Sequence, residues 1–96
     1  KNKCRIGNKV AIGPFCTFIC HSNSAKGPNR YFVDNYEDGD IEIGSNVFIG
    51  AQCTILPGTR IPDRVVIAAN SVVKGELKSG FLYGGSPAKP IKPIED

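Results

Sequence analysis

The sequence predicts an all-β fold in which short strands wind into a stacked coil, and three observations predict it. Aliphatic residues recur every six positions, at Ile43, Ile49, Ile55, Ile61, Ile67 and Val73. Four residues after each stands Val47, Cys53, Thr59, Val65, Ser71 or Leu77, and all but the last are small or β-branched. The same phrase opens the chain as Ile6-Gly7 with Val10, Ile12-Gly13 with Cys16, and Phe18 with Ser22. Self-similarity at a fixed period is the mark of stacked repeats. A helix cannot use this spacing, because its apolar face recurs near every 3.6 residues.

Residues 1–22 hold three such repeats, enough for one triangular turn of short strands and tight corners. The leading aliphatic should point into the coil, the small fifth residue should fit the narrowing corner, and glycine should relax the backbone at the bend. Residues 23–42 break the pattern with Gly27-Pro28, Asp34-Asn35 and Glu37-Asp38-Gly39-Asp40, which are turn signals. Tyr31, Phe32, Val33 and Tyr36 are too apolar for a solvated loop, so this insertion is expected to dock, for example on a neighbouring subunit. Residues 43–78 hold six more repeats, or two more turns. Ile6, Ile43 and Ile61 should then stack, as should Ile12, Ile49 and Ile67, and Phe18, Ile55 and Val73. Residues 79–96 carry Gly80, Gly84, Gly85, Pro87, Pro90 and Pro93, which rule out a helix or a central strand and predict a tail lying extended along the coil.

The 96 residues make one small domain, residues 1–96, whose end rungs need caps or contacts with other chains. A net charge of +3 falls short of a nucleic-acid footprint. No apolar run reaches the length of a membrane span and no secretory leader precedes the first repeat, so a soluble, cytoplasmic protein is expected. The chain contains no Met, so it is expected to be processed, numbered from an internal residue, or cut from a longer one. Cys4, Cys16 and Cys53 fall at the small corner position, where a thiol packs as a compact hydrophobe. Cys16 and Cys53 would lie on neighbouring rungs roughly 4.8 Å apart, within reach of a bridge. Zinc is disfavoured, because Cys16 and Cys20 lack a second ligand pair and His21 is the one histidine. The same count argues against a β-helical carbonic anhydrase.

The segment IGSNVFIGAQCTILPGTRIPDRVVIAANSVVKGELKSGFLYGGSPAKPI resembles the C-terminal half of hexapeptide-repeat acyltransferases, which include galactoside, maltose and xenobiotic O-acetyltransferases. Leu56-Pro57-Gly58, residues 68–73 and residues 84–91 carry the resemblance beyond the repeat itself. It implies a left-handed parallel β-helix of about three coils with one inserted loop. That hand is an exception to the usual right-handed crossover. It also implies a homotrimer with sites between subunits, binding acetyl-CoA as cosubstrate and a small hydroxyl-bearing acceptor, without a metal, a nucleic acid or a membrane span.

By the same resemblance, His21, in the context IGPFCTFICHSN, is the general base that deprotonates the acceptor hydroxyl. Backbone at Ala51 and Ala69 would line the pantetheine arm. Lys89 and Lys92 match tail positions that place cations against the nucleotide phosphates, and Lys74 stands one residue before the position, held here by Gly75, where a lysine is usual. Lys74-Gly75-Glu76 replaces the usual Thr-Lys-Asp, Phe48 replaces a commoner Trp, and the acceptor subsite that relatives draw from a coil upstream of the first repeat is expected to be absent or supplied differently. These departures motivate a second reading: a noncatalytic β-helix scaffold that keeps the trimer surface and has lost the acceptor site.

Overall fold

The computed structural model describes residues 3–20 and 39–95. Eleven strands lie among them: β1 (Cys4–Ile6), β2 (Val10–Ile12), β3 (Thr17–Phe18), β4 (Ile41–Ile43), β5 (Val47–Ile49), β6 (Thr54–Ile55), β7 (Arg60–Ile61), β8 (Val65–Ile67), β9 (Val72–Val73), β10 (Phe81–Gly85) and β11 (Ala88–Pro93). The first nine form three coils of three strands. Parallel pairing between coils builds three sheets: β1-β4-β7, then β2-β5-β8, then β3-β6-β9. The coil resumes at Ile41, inside the stretch that the sequence assigned to the insertion.

The register follows the six-residue period. Ile6 pairs with Ile43 and Ile43 with Ile61; Ile12, Ile49 and Ile67 form the second column; Phe18, Ile55 and Val73 form the third. From the second coil on, these residues are buried, together with Val47, Cys53, Thr59, Val65 and Ser71. Burying a large aliphatic side chain contributes about 1.5–3 kcal/mol, so the columns are the main source of stability. The first coil is open on one side: Ile6 is 48% and Ile12 38% exposed, against 4% for Ile43 and 0% for Ile49.

The corners differ from the sequence reading in one respect. Gly7, Gly13, Gly44 and Gly50 do not make the bends; Lys9, Phe15, Asn46, Gln52, Arg64 and Asn70 do, each with φ between 57° and 62°. The glycines serve close stacking instead. A Cβ on Gly50 would lie 2.6 Å from the Ala69 nitrogen, and one on Gly13 would lie 2.7 Å from that of Ala51. Gly50→Ala must therefore push two rungs apart, and we expect it to destabilise by about 1–3 kcal/mol. A urea midpoint equal to that of the wild type would contradict this account.

The C-terminal part departs from the repeat spacing in two places. The spacing puts Leu77 at a fifth position, but Leu77 N donates to Arg60 O at 2.9 Å and Arg60 bridges to Glu76, which sets Leu77 over Ile61. The third coil turns this corner through Lys74 and Gly75 alone, where the coil below uses Leu56 to Thr59. The tail, expected to be extended along the coil, folds back as a hairpin. β10 pairs in parallel with β8 and antiparallel with β11, so it is an interior strand of the sheet β11-β10-β8-β5-β2. The prolines tolerate this because Pro87 lies in the turn, after a cis peptide bond, while Pro90 and Pro93 lie on the edge strand. Tyr83, in register with Ile67, continues the second column and is 5% exposed; its hydroxyl accepts from Lys78 N at 2.7 Å.

Candidate functional site

Each coil has three corners, and the expected site residues distribute over two of them. Corner two, after the sheet that contains β5, stacks Gly13-Pro14, Gly50-Ala51 and Ala68-Ala69, with Gly84 above. Ala51 sits over Gly13 and Ala69 over Gly50 at the close distances given above. Successive rungs are tied by Gln52 N to Pro14 O and Asn70 N to Ala51 O, both at 2.9 Å. Inside the corner, Cys16 Sγ donates to Gly50 O at 3.1 Å, Cys53 Sγ to Ala68 O at 3.2 Å, and Ser71 Oγ to Ala68 O at 2.7 Å. The fifth-position side chains thus satisfy corner carbonyls from within, and all four thiols are free. Burial is the main reason that the Cys53 thiol is pushed above its ordinary pKa, which suits a packing role. Ala51 is half-exposed and Ala69 exposed, and neither carries a side chain large enough to screen its backbone.

Lys89 and Lys92 reach the outer face of this sheet through an irregularity that the sequence does not disclose. Lys89 pairs with Gly84 and Lys92 with Leu82, and the register shifts between Leu82 and Tyr83. Residues three apart on a regular strand face opposite sides. The shift inserts Ile91 as the extra residue and puts both lysines opposite outward positions of β10. Lys92 then lines a cleft with Val66, Leu82 and Pro93.

Corner three, after the sheet that contains β6, is where the insertion departs and returns. Gly39 N donates to Cys20 O at 3.2 Å, so the two described flanks of residues 21–38 meet. His21, the expected base, and the expected docking segment lie outside the described residues. Lys74 follows Val73 at this corner, in line with Leu56 and Ile19, and is exposed. The structure therefore brings Ala51 and Ala69 together with the two tail lysines on neighbouring surfaces, and leaves Lys74 on a different edge. A groove of about 500 Å³ crosses the sheet of β1, β4 and β7 and contains none of these residues. Its charges neutralise one another: Glu42 lies 3.3 Å from Arg5 and 3.4 Å from Arg60, in exposed pairs worth about 0.2–1 kcal/mol. Among the described residues no helix is long and apolar enough to cross a membrane.

Comparison with known proteins supplies the context for this geometry. Residues 40–75 match the bacterial transferase hexapeptide (six repeats) family. The chain is 33% identical to galactoside O-acetyltransferase of Escherichia coli over 91 residues, which cover 95% of this chain and 44% of that protein. Its fold matches a crystal structure of AntD, an N-acyltransferase from Bacillus cereus in complex with dTDP and coenzyme A, at a TM-score of 0.79 and 26% identity; the match covers 96% of this chain and 53% of that one. It also matches a hexapeptide-repeat containing-acetyltransferase of Vibrio cholerae complexed with acetyl-coenzyme A, at a TM-score of 0.76 and 27% identity, covering 97% and 61%. The coil is the left-handed parallel β-helix of these structures. The chain spans about half the length, or less, of the curated relatives it matches.

Proposed function

The chain belongs to the hexapeptide-repeat transferase family, and from that premise we propose that it transfers an acetyl group from acetyl-CoA to a hydroxyl of a sugar, glycan or xenobiotic, with His21 as general base. The observation that carries the reading is the corner-two column. Ala51 and Ala69 hold equivalent corner places on successive rungs, tied by Asn70 N to Ala51 O, beside an outer sheet face that bears Lys89 and Lys92. A pantetheine arm needs a narrow track with amide groups at close range, and the pyrophosphate beyond it needs cations. Coenzyme A in two fold neighbours supports the cosubstrate.

In the proposed reaction His21 takes the proton of the acceptor hydroxyl as its oxygen attacks the thioester carbonyl. The carbon–sulfur bond breaks, and the coenzyme A thiolate leaves and regains a proton from the imidazolium. Imidazole suits both transfers because its ordinary pKa lies near neutrality. Corner two and corner three are different edges of one chain, with a sheet between them. A homotrimer that sets corner three of one subunit against corner two of the next would unite track and base, and it would also cover the small stack. Lys74, on the corner-three edge, would then face the cosubstrate from the neighbouring subunit. Four free thiols suit a reducing cytoplasm.

The test is thermal stability with acetyl-CoA. A ligand that binds only the folded state at about 100 times its Kd stabilises by about 2.7 kcal/mol, so the midpoint should rise by roughly 10 °C or more. No shift at saturating acetyl-CoA would favour the noncatalytic scaffold.

A further inference from the structure

We propose that Cys4 and Cys20 form an oxidisable dithiol, a modification site at which a small-molecule disulfide closes the first coil into a covalent ring. The two residues sit where that coil ends on itself. Cys4 is in register with fully buried Ile41, so its side chain points into the coil. Cys20, beyond the end of β3, is half-buried and packs against the same core. A single short segment holds both. Gly39 N donates to Cys20 O at 3.2 Å and Ile41 N donates to Lys3 O at 2.9 Å, from amides two residues apart.

Accessibility separates this pair from the other two cysteines. Cys4 is exposed and Cys20 half-buried, whereas Cys53 is fully buried and the thiols of Cys16 and Cys53 donate to the Gly50 and Ala68 carbonyls. Burial, and then the neighbouring thiol, raise Cys4 above its ordinary pKa. Exchange at neutral pH is therefore slow, on the order of minutes to hours.

The oxidant is a disulfide of the oxidised-glutathione type. The Cys4 thiolate attacks one of its sulfurs and expels a first glutathione thiolate. The Cys20 thiolate then attacks the Cys4 sulfur of the mixed disulfide, forms the Sγ–Sγ bond and expels a second. Two protein thiols are oxidised, one glutathione disulfide is reduced, and the two protons pass to the departing thiolates. Because Cys20 precedes His21 in sequence, the bond also tethers one flank of residues 21–38 to β1.

The experiment incubates the reduced full chain with oxidised glutathione for several hours, then blocks remaining thiols and maps peptides. We expect two of the four free thiols to disappear, the intact mass to fall by about 2 Da, and a fragment to join Cys4 to Cys20. Dithiothreitol should restore all the thiols. Cys4→Ser and Cys20→Ser should each abolish the cross-link, and Cys16→Ser should leave it. A cross-link joining Cys16 to Cys53, a stable glutathione adduct on Cys4, or survival of every thiol would each overturn the proposal, and the wild-type map alone decides among them.

Discussion

Replacing His21 with alanine is expected to lower turnover by about two to four orders of magnitude, the range for losing a positioned general base. Acetyl-CoA should still raise the melting midpoint of the variant, because the expected cosubstrate contacts at Ala51, Ala69, Lys89 and Lys92 belong to the coil corner and the hairpin. This pairing of readouts separates two failures. Lost turnover with retained stabilisation places His21 in the chemical step. Loss of both would mean that the substitution disturbs the fold near Cys20, whose carbonyl anchors the return of the insertion at Gly39. Unchanged turnover would remove His21 from the mechanism and leave the acetyl transfer without its base.

The three interior columns were legible because a six-residue period leaves no freedom: once Ile43, Ile49 and Ile55 occupy one coil, Ile61, Ile67 and Val73 must lie above them, and the register agrees residue by residue. What could not be read is whatever escapes the period. Tyr83 falls off it, so its place over Ile67 was invisible, and with it the pairing that makes β10 an interior strand. Pro90 and Pro93 signalled a chain unable to pair on both sides, which holds for β11 at the sheet edge and says nothing of β10 beside it. Glycine at Gly50 showed that a Cβ is unwelcome. Composition cannot distinguish a backbone angle from a close neighbour, and here the neighbour Ala69 is the cause. At the site, the small corner residues were visible in the repeat, whereas the alignment of Lys89 with Lys92 depends on a register shift that no spacing rule anticipates.

Ile49→Ala is expected to destabilise the protein by about 2–5 kcal/mol, and Ile12→Ala, in the same column, by markedly less. Both substitutions delete the same atoms, so the difference isolates environment. Ile49 is 0% exposed and is held between Ile12 below and Ile67 above, so truncation removes its transfer free energy and leaves a cavity that the flanking rungs cannot close without breaking parallel ladders. Ile12 is 38% exposed and has a rung on one side only, so part of its surface already meets water and no enclosed void forms. Urea unfolding should show the Ile49 variant with the lower midpoint and an unaltered slope, since the surface exposed on unfolding is nearly the same. Equal losses at the two positions would mean that the outer face of the first coil is covered in solution. The free-energy gap between the two variants is thus a direct measure of how open that end of the β-helix is.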